Sequence, residues 1–209
     1  MKIYHIRKLS GQDTDFRPTI LNSLKQAQIY KQNHPDDTVN VYIASGFFDD
    51  ISTYPSLQAQ NLQNSLTKDI DNCFLLGAYG EKKNLYFLAL TLKNKHTCNV
   101  KLYYKWKFHA KIFVITVNDL PVFEIIGSSN MTRSAYCGIT PKKQPSLNFE
   151  CDLVIFNEEM INVVIDTSPR IMQLRYCDED NRGITITTRM FDIMSIIREF
   201  IKDANKLEI

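Results

Sequence analysis

One imidazole, one ammonium, one hydroxyl and one carboxamide occur at spacings that β-structure would turn toward a single small volume. Only Ala110 separates His109 from Lys111, and strand side chains alternate with period two, so both point to one face of an extended segment. Ser128 and Asn130 follow Gly127 at the end of a β-rich run, Val122-Phe123-Glu124-Ile125-Ile126. Such groups suit a phosphodiester, an anion shielded from nucleophiles. Its cleavage needs charge neutralisation, an in-line nucleophile and a proton for the leaving oxygen. Histidine can form a covalent intermediate. Lysine, serine and asparagine can stabilise charge on the non-bridging oxygens. Many nucleases assign the first two tasks to metal ions. The sequence offers no carboxylate cluster and no metal-ligand spacing for that route, so the reading carries no metal and no cofactor.

A third element follows in order. Asn148-Phe149-Glu150 precedes the strand-like run Cys151-Asp152-Leu153-Val154-Ile155-Phe156. Together the three elements, H-x-K, G-S-x-N and N-x-E, resemble the signature of the phospholipase D superfamily over about Val39 to Phe156. Thr116 stands where that signature carries an aspartate, Asp119 is out of register, and the gap to Gly127 is longer than usual. In these respects the chain is more similar to a single-motif, restriction-endonuclease-like branch than to lipid-cleaving members. The resemblance implies an α/β fold, a phospholipase D-like central mixed β-sheet flanked by helices. It implies a metal-independent endonuclease cleaving DNA, with RNA as the alternative, through a covalent phosphohistidine. The catalytic candidates are His109, Lys111, Ser128, Asn130 and Glu150, with Glu150 orienting the imidazole.

One imidazole cannot comfortably be both nucleophile and, on the opposite face, general acid. In the superfamily two H-x-K motifs meet at a two-fold axis. The resemblance therefore implies a homodimer with one composite site, and Phe47, Phe48 and Trp106 are candidates for apolar surface near it. Lys101, Lys105, Lys107 and Lys111 are interleaved with Tyr103, Tyr104 and Trp106, and Arg133, Lys142 and Lys143 follow the second motif. Phosphate contacts dominate nucleic-acid affinity, so Lys107, Arg133 and Asn148 are the substrate-binding candidates. Two other classes stay open: a phospholipase or phosphatidyltransferase acting on lipid, and a catalytically degenerate nucleic-acid-binding subunit. A restriction or defence role, with an ATPase or helicase partner, follows by analogy alone.

The elements that must position these groups are partly readable. Strands are expected at Lys2 to Ile6, Val39 to Ala44, Phe74 to Gly77, Val100 to Tyr104, and on both sides of the turn Asn118-Asp119-Leu120-Pro121. Helices are expected from Pro18 to about Asn33, from Tyr54 to about Ile70, and from Arg189 to about Lys206. Ser128 to Cys137 is expected to enter a helix whose amino end aims backbone donors at an anion. Leu85 to Leu92 and Ile161 to Ile171 are ambiguous, and Ile184 to Thr188 is β-rich.

With 209 residues, 44% hydrophobic and 11% aromatic, the chain suits one domain over 1–209 with a proper core. A net charge of +2 rules out a polycation, so any nucleic-acid affinity must come from local patches. The five cysteines are scattered and form no C-x-x-C pair; Cys73 and Cys151, beside apolar runs, read as small core residues. His5, His34 and His96 read as isolated. Free thiols, no signal peptide and no apolar run of spanning length point to the cytoplasm and no membrane partner.

Overall fold

A computed structural model describes residues 2–8, 15–49, 56–67, 69–78, 80, 82–95, 98–106, 108–136, 150–163, 171–174 and 186–207. In chain order the elements are β1 (Lys2–Lys8), α1 (Phe16–Asn33), β2 (Val39–Ser45), α2 (Ser56–Thr67), β3 (Asn72–Ala78), α3 (Lys82–Lys95), β4 (Asn99–Lys105), β5 (Lys111–Val117), β6 (Leu120–Gly127), α4 (Arg133–Tyr136), β7 (Glu150–Phe156), β8 (Ile171–Leu174), α5 (Ile186–Asp203) and β9 (Asn205–Leu207). The fold is α/β. All nine strands join one mixed sheet in the order β8-β1-β7-β6-β5-β2-β3-β4-β9. β2, β3 and β4 run parallel, and the remaining neighbours are antiparallel.

Central strands covered on both faces read as continuous apolar runs. β2 is buried along its whole length, and β5 from Ile112 to Val117. On one face Val41, Ile43, Phe113 and Ile115 pack with Ile20 and Leu24 of α1, Leu62 and Leu66 of α2, and Leu85 and Leu88 of α3. On the other, Tyr42, Ala44, Ile112 and Val114 pack under Met194, Ile197 and Phe200 of α5. Burying one such side chain contributes about 1.5–3 kcal/mol, so the two layers hold the sheet rigid beneath its loops.

The β5–β6 hairpin turns on Asn118 and Asp119 alone, at φ 49° and 64°. Two successive left-handed residues match the right-handed twist of the flanking strands, and asparagine and aspartate tolerate that conformation best after glycine. The expected four-residue turn is thus shorter, because Leu120 and Pro121 already belong to β6 across a register shift.

Several expectations are corrected. Leu85 to Leu92 is helical within α3. Ile186 to Thr188, expected as β-rich, opens α5, whose amphipathic pattern outweighs the local β-branched composition. That helix stops at Asp203, and Lys206 lies in β9 against Tyr103. Ile161 to Val163 is irregular, and residues 164–170 lie outside those described. Cys73 is buried, whereas Cys151, near the start of β7, is exposed. No helix among the described residues is long and apolar enough to cross a membrane.

Candidate active site

β2 and β6 end, and β5 and β7 begin, at the same edge of the sheet, because β5 runs antiparallel to β2 and β6, and β6 to β7. Ser45 sits opposite Lys111, and Gly127 opposite Asp152. Every functional candidate described below lies at this edge. His109 precedes β5 and is exposed, and Lys111 is its first residue. Gly46 lets β2 exit closely over His109: a Cβ there would lie 3.1 Å from His109 Cα and 3.3 Å from its Cδ2.

Lys111 Nζ lies 2.6 Å from His109 Nδ1 and donates to the His109 carbonyl at 3.1 Å. Partial burial pulls the Lys111 ammonium below its ordinary range, while the Glu150 carboxylate pulls it upward. Ser128 Oγ donates to Glu150 Oε2 at 2.6 Å, and the Lys111 ammonium lies against His109 Nδ1. Ser128 Oγ also accepts from the Cys151 amide at 2.9 Å, and the Ser128 amide donates to the Cys151 carbonyl at 3.1 Å.

The loop after β6 is organised from beneath. The Ser129 amide donates to Asp152 Oδ1 at 3.1 Å, and Ser129 Oγ donates to Asp152 Oδ2. Asp152 is buried, which pushes its carboxyl group up from its ordinary range, and these donors oppose the shift. Gly127 is required here, since a Cβ would stand 2.1 Å from Asp152 Oδ1 and 2.4 Å from the Cys151 carbonyl oxygen. Ser45 closes the other side. Its Oγ accepts from the Met131 amide at 3.0 Å and lies 3.3 Å from the Asn130 side-chain amide, which it ties to the end of β2.

This wiring corrects the expected helix at Ser128. α4 begins only at Arg133, and the amides of Ser128, Ser129 and Met131 are directed inward to Cys151, Asp152 and Ser45. Thr132 caps α4, its Oγ accepting from the Ala135 amide at 3.4 Å, and Ser129 serves Asp152. Of the substrate-binding candidates, Lys107 and Asn148 lie outside the described residues, and Arg133 is placed only by its backbone in α4.

Ser45 and Asp152 went unread in the sequence. For Asp152 a signal existed: Glu150, Asp152, Val154 and Phe156 share one face of β7, so two carboxylates mark its site end. Thr116, at the signature's aspartate position, is buried on the opposite face from Lys111. His5 is not isolated, since its Nε2 lies 2.8 Å from Cys151 Sγ. His34 stacks on Tyr30. Among the described residues, no group of three or more His, Cys, Asp or Glu side chains could hold a metal ion.

No protein-family model and no curated protein matches the chain. Solved structures do. Polyphosphate kinase from Porphyromonas gingivalis aligns with TM-score 0.43 and 8% identity over 76% of this chain and 20% of its own. Yeast tyrosyl-DNA phosphodiesterase aligns with TM-score 0.41 and 11% identity over 76% and 48%. Phosphatidylserine synthase from Haemophilus influenzae Rd KW20 aligns with TM-score 0.43 and 10% identity over 96% and 46%. The chain spans between a fifth and about half of their lengths.

Proposed function

We propose that the chain is a metal-independent phosphodiesterase of the phospholipase D type, acting on DNA through His109. The observation that carries this reading is the meeting of His109, Lys111, Ser128, Asn130 and Glu150 at one sheet edge on a rigid scaffold. Binding a phosphodiester there would draw the Lys111 ammonium from His109 Nδ1 toward a non-bridging oxygen. The freed Nδ1 can then carry the ring proton, leaving the Nε2 lone pair to attack phosphorus. A P–N bond forms as the bond to the leaving oxygen breaks, and that oxygen takes a proton from a second imidazole. Water then attacks phosphorus, gives its proton to that imidazole, and His109 is released. Lys111, Asn130 and Ser128 offset the charge on the phosphoryl oxygens. Ser128 can donate to phosphate only by leaving Glu150.

The second imidazole is supplied by another copy of the chain across a two-fold axis. A role in a restriction or defence system belongs to the same proposal. Single-turnover cleavage of labelled DNA, RNA and phosphatidylcholine in excess chelator tests the reading. Wild-type protein should cleave DNA. His109→Ala should lose about 10²–10⁴-fold or more while keeping its circular dichroism spectrum. Magnesium-dependent cleavage that survives His109→Ala would overturn it, and cleavage of lipid alone would transfer the site to the lipid class.

A further inference from the structure

We propose that Phe47 and Trp106 form a stacking platform for unpaired nucleobases, making single-stranded nucleic acid the substrate of the His109 site. The inference rests on the phosphodiesterase reading and adds its substrate class. Phe47 is 46% exposed and Trp106 is 68% exposed, and both lie where chain leaves the carboxyl end of a parallel strand, β2 and β4 respectively. Only β3 separates those strands, so the two ends stand about two strand spacings apart, roughly 10 Å. Ligands of open α/β sheets bind outside such carboxyl ends.

The Phe47 ring is already against the imidazole, with centroids 5.3 Å apart and planes at 87°. A base one sugar away from a phosphate held at His109 therefore falls at Phe47. The backbone beside Phe47 is pinned. Its carbonyl accepts from Ser45 Oγ at 2.6 Å. Phe48 is buried, bridges to Met131, and its carbonyl accepts from Asn84 Nδ2 at 2.6 Å. The Asp49 amide donates to the Met131 carbonyl at 3.2 Å. Phe48, expected on the surface with Phe47, is instead the anchor that holds Phe47 in the open. An ammonium lies at the same edge, with Lys82 Nζ 5.1 Å from the Tyr104 ring centre. Exposed aromatic rings beside a phosphate site suit bases whose faces are unstacked, whereas a duplex hides those faces and a lipid headgroup has none.

Trp106 is the only tryptophan, so its emission reports the platform directly. Full-length His109→Gln protein would be titrated with oligo-dT, a duplex of equal length and an abasic deoxyribose-phosphate oligomer. Oligo-dT should quench the emission and bind about tenfold or more tightly than the other two. Phe47→Ala should remove that preference and Phe47→Tyr should retain it, while Trp106→Leu, read by the anisotropy of end-labelled oligomers, should also remove it. Equal affinity for all three polymers with unchanged emission would overturn the platform. So would an emission that changes only on diluting the protein, which would assign both rings to a subunit contact. A wild-type protein that cleaves duplex and single strands alike loses this inference and keeps the phosphodiesterase reading; one that cleaves no nucleic acid loses both.

Discussion

Glu124 has no exposed surface and, among the described residues, no hydrogen-bond partner on either carboxyl oxygen. It faces the α5 side of the sheet, opposite Val114 and Ile155, and burial pushes its carboxyl group up to about 9. Asp152, also buried, differs because Ser129 supplies two donors. The pH consequence has a definite sign. Between the ordinary value of 4.5 and about 9, the folded chain keeps a proton at Glu124 that the unfolded chain has released. Stability at this position is fully present below pH 4.5 and is lost as pH rises toward 9. Glu124→Gln should therefore flatten the fall in Tm between pH 5 and 9, and stabilise the protein at pH 8 by about 1–3 kcal/mol. Thermal melts across that range check it; parallel curves for both proteins would mean that Glu124 is solvated or paired.

At the scale of elements, the β5–β6 hairpin carries Lys111 at one end and Gly127 at the other, so its turn sets the register of the site. Asn118 contributes in two ways. It adopts positive φ, and its side chain accepts from the Thr38 amide at 2.9 Å and donates to Asp37 Oδ1 at 2.7 Å. The donation to Asp37, together with one from Tyr30, holds that carboxylate below its ordinary range. Asn118→Gly removes the side-chain bonds but keeps the turn, whereas Asn118→Ala removes the bonds and strains the turn. Alanine should be the worse of the two by about 1–2 kcal/mol in denaturant unfolding. Equal losses would place the whole effect in the hydrogen bonds. The start of α4 makes a related point: backbone amides that a helix beginning at Ser128 would aim outward are used here to fasten the loop after β6.

For the whole molecule, the proposed chemistry needs two imidazoles of one kind, and among the described residues the H-x-K motif supplies one, His109. A two-fold axis near His109 would bring the same patch from both subunits together without a further residue. Light scattering should find a dimer at working concentration. Heterodimers of wild-type and His109→Ala subunits should turn over far below half the wild-type rate, since each holds one imidazole of the pair. A fully active monomer, or mixed dimers at half rate, would refute the shared site.

The spacing of His109 and Lys111 was enough to anticipate that their side chains meet, although His109 lies just ahead of β5, and apolar runs marked β2, β5, β6 and β7. The turn residues marked the hairpin between the two motifs. These are local properties, set by pleat geometry and backbone preference within a few residues. Other features depended on partners distant in sequence. Met131 meets Ser45, Ser129 meets Asp152, and His5 meets Cys151 only because strand order brings β2 beside β5, β6 beside β7, and β1 beside β7. The helical state of Leu85 to Leu92 was likewise decided by the sheet face that segment covers, since its own composition suits either structure. Local sequence set which way the motif side chains point; tertiary pairing set what each one touches.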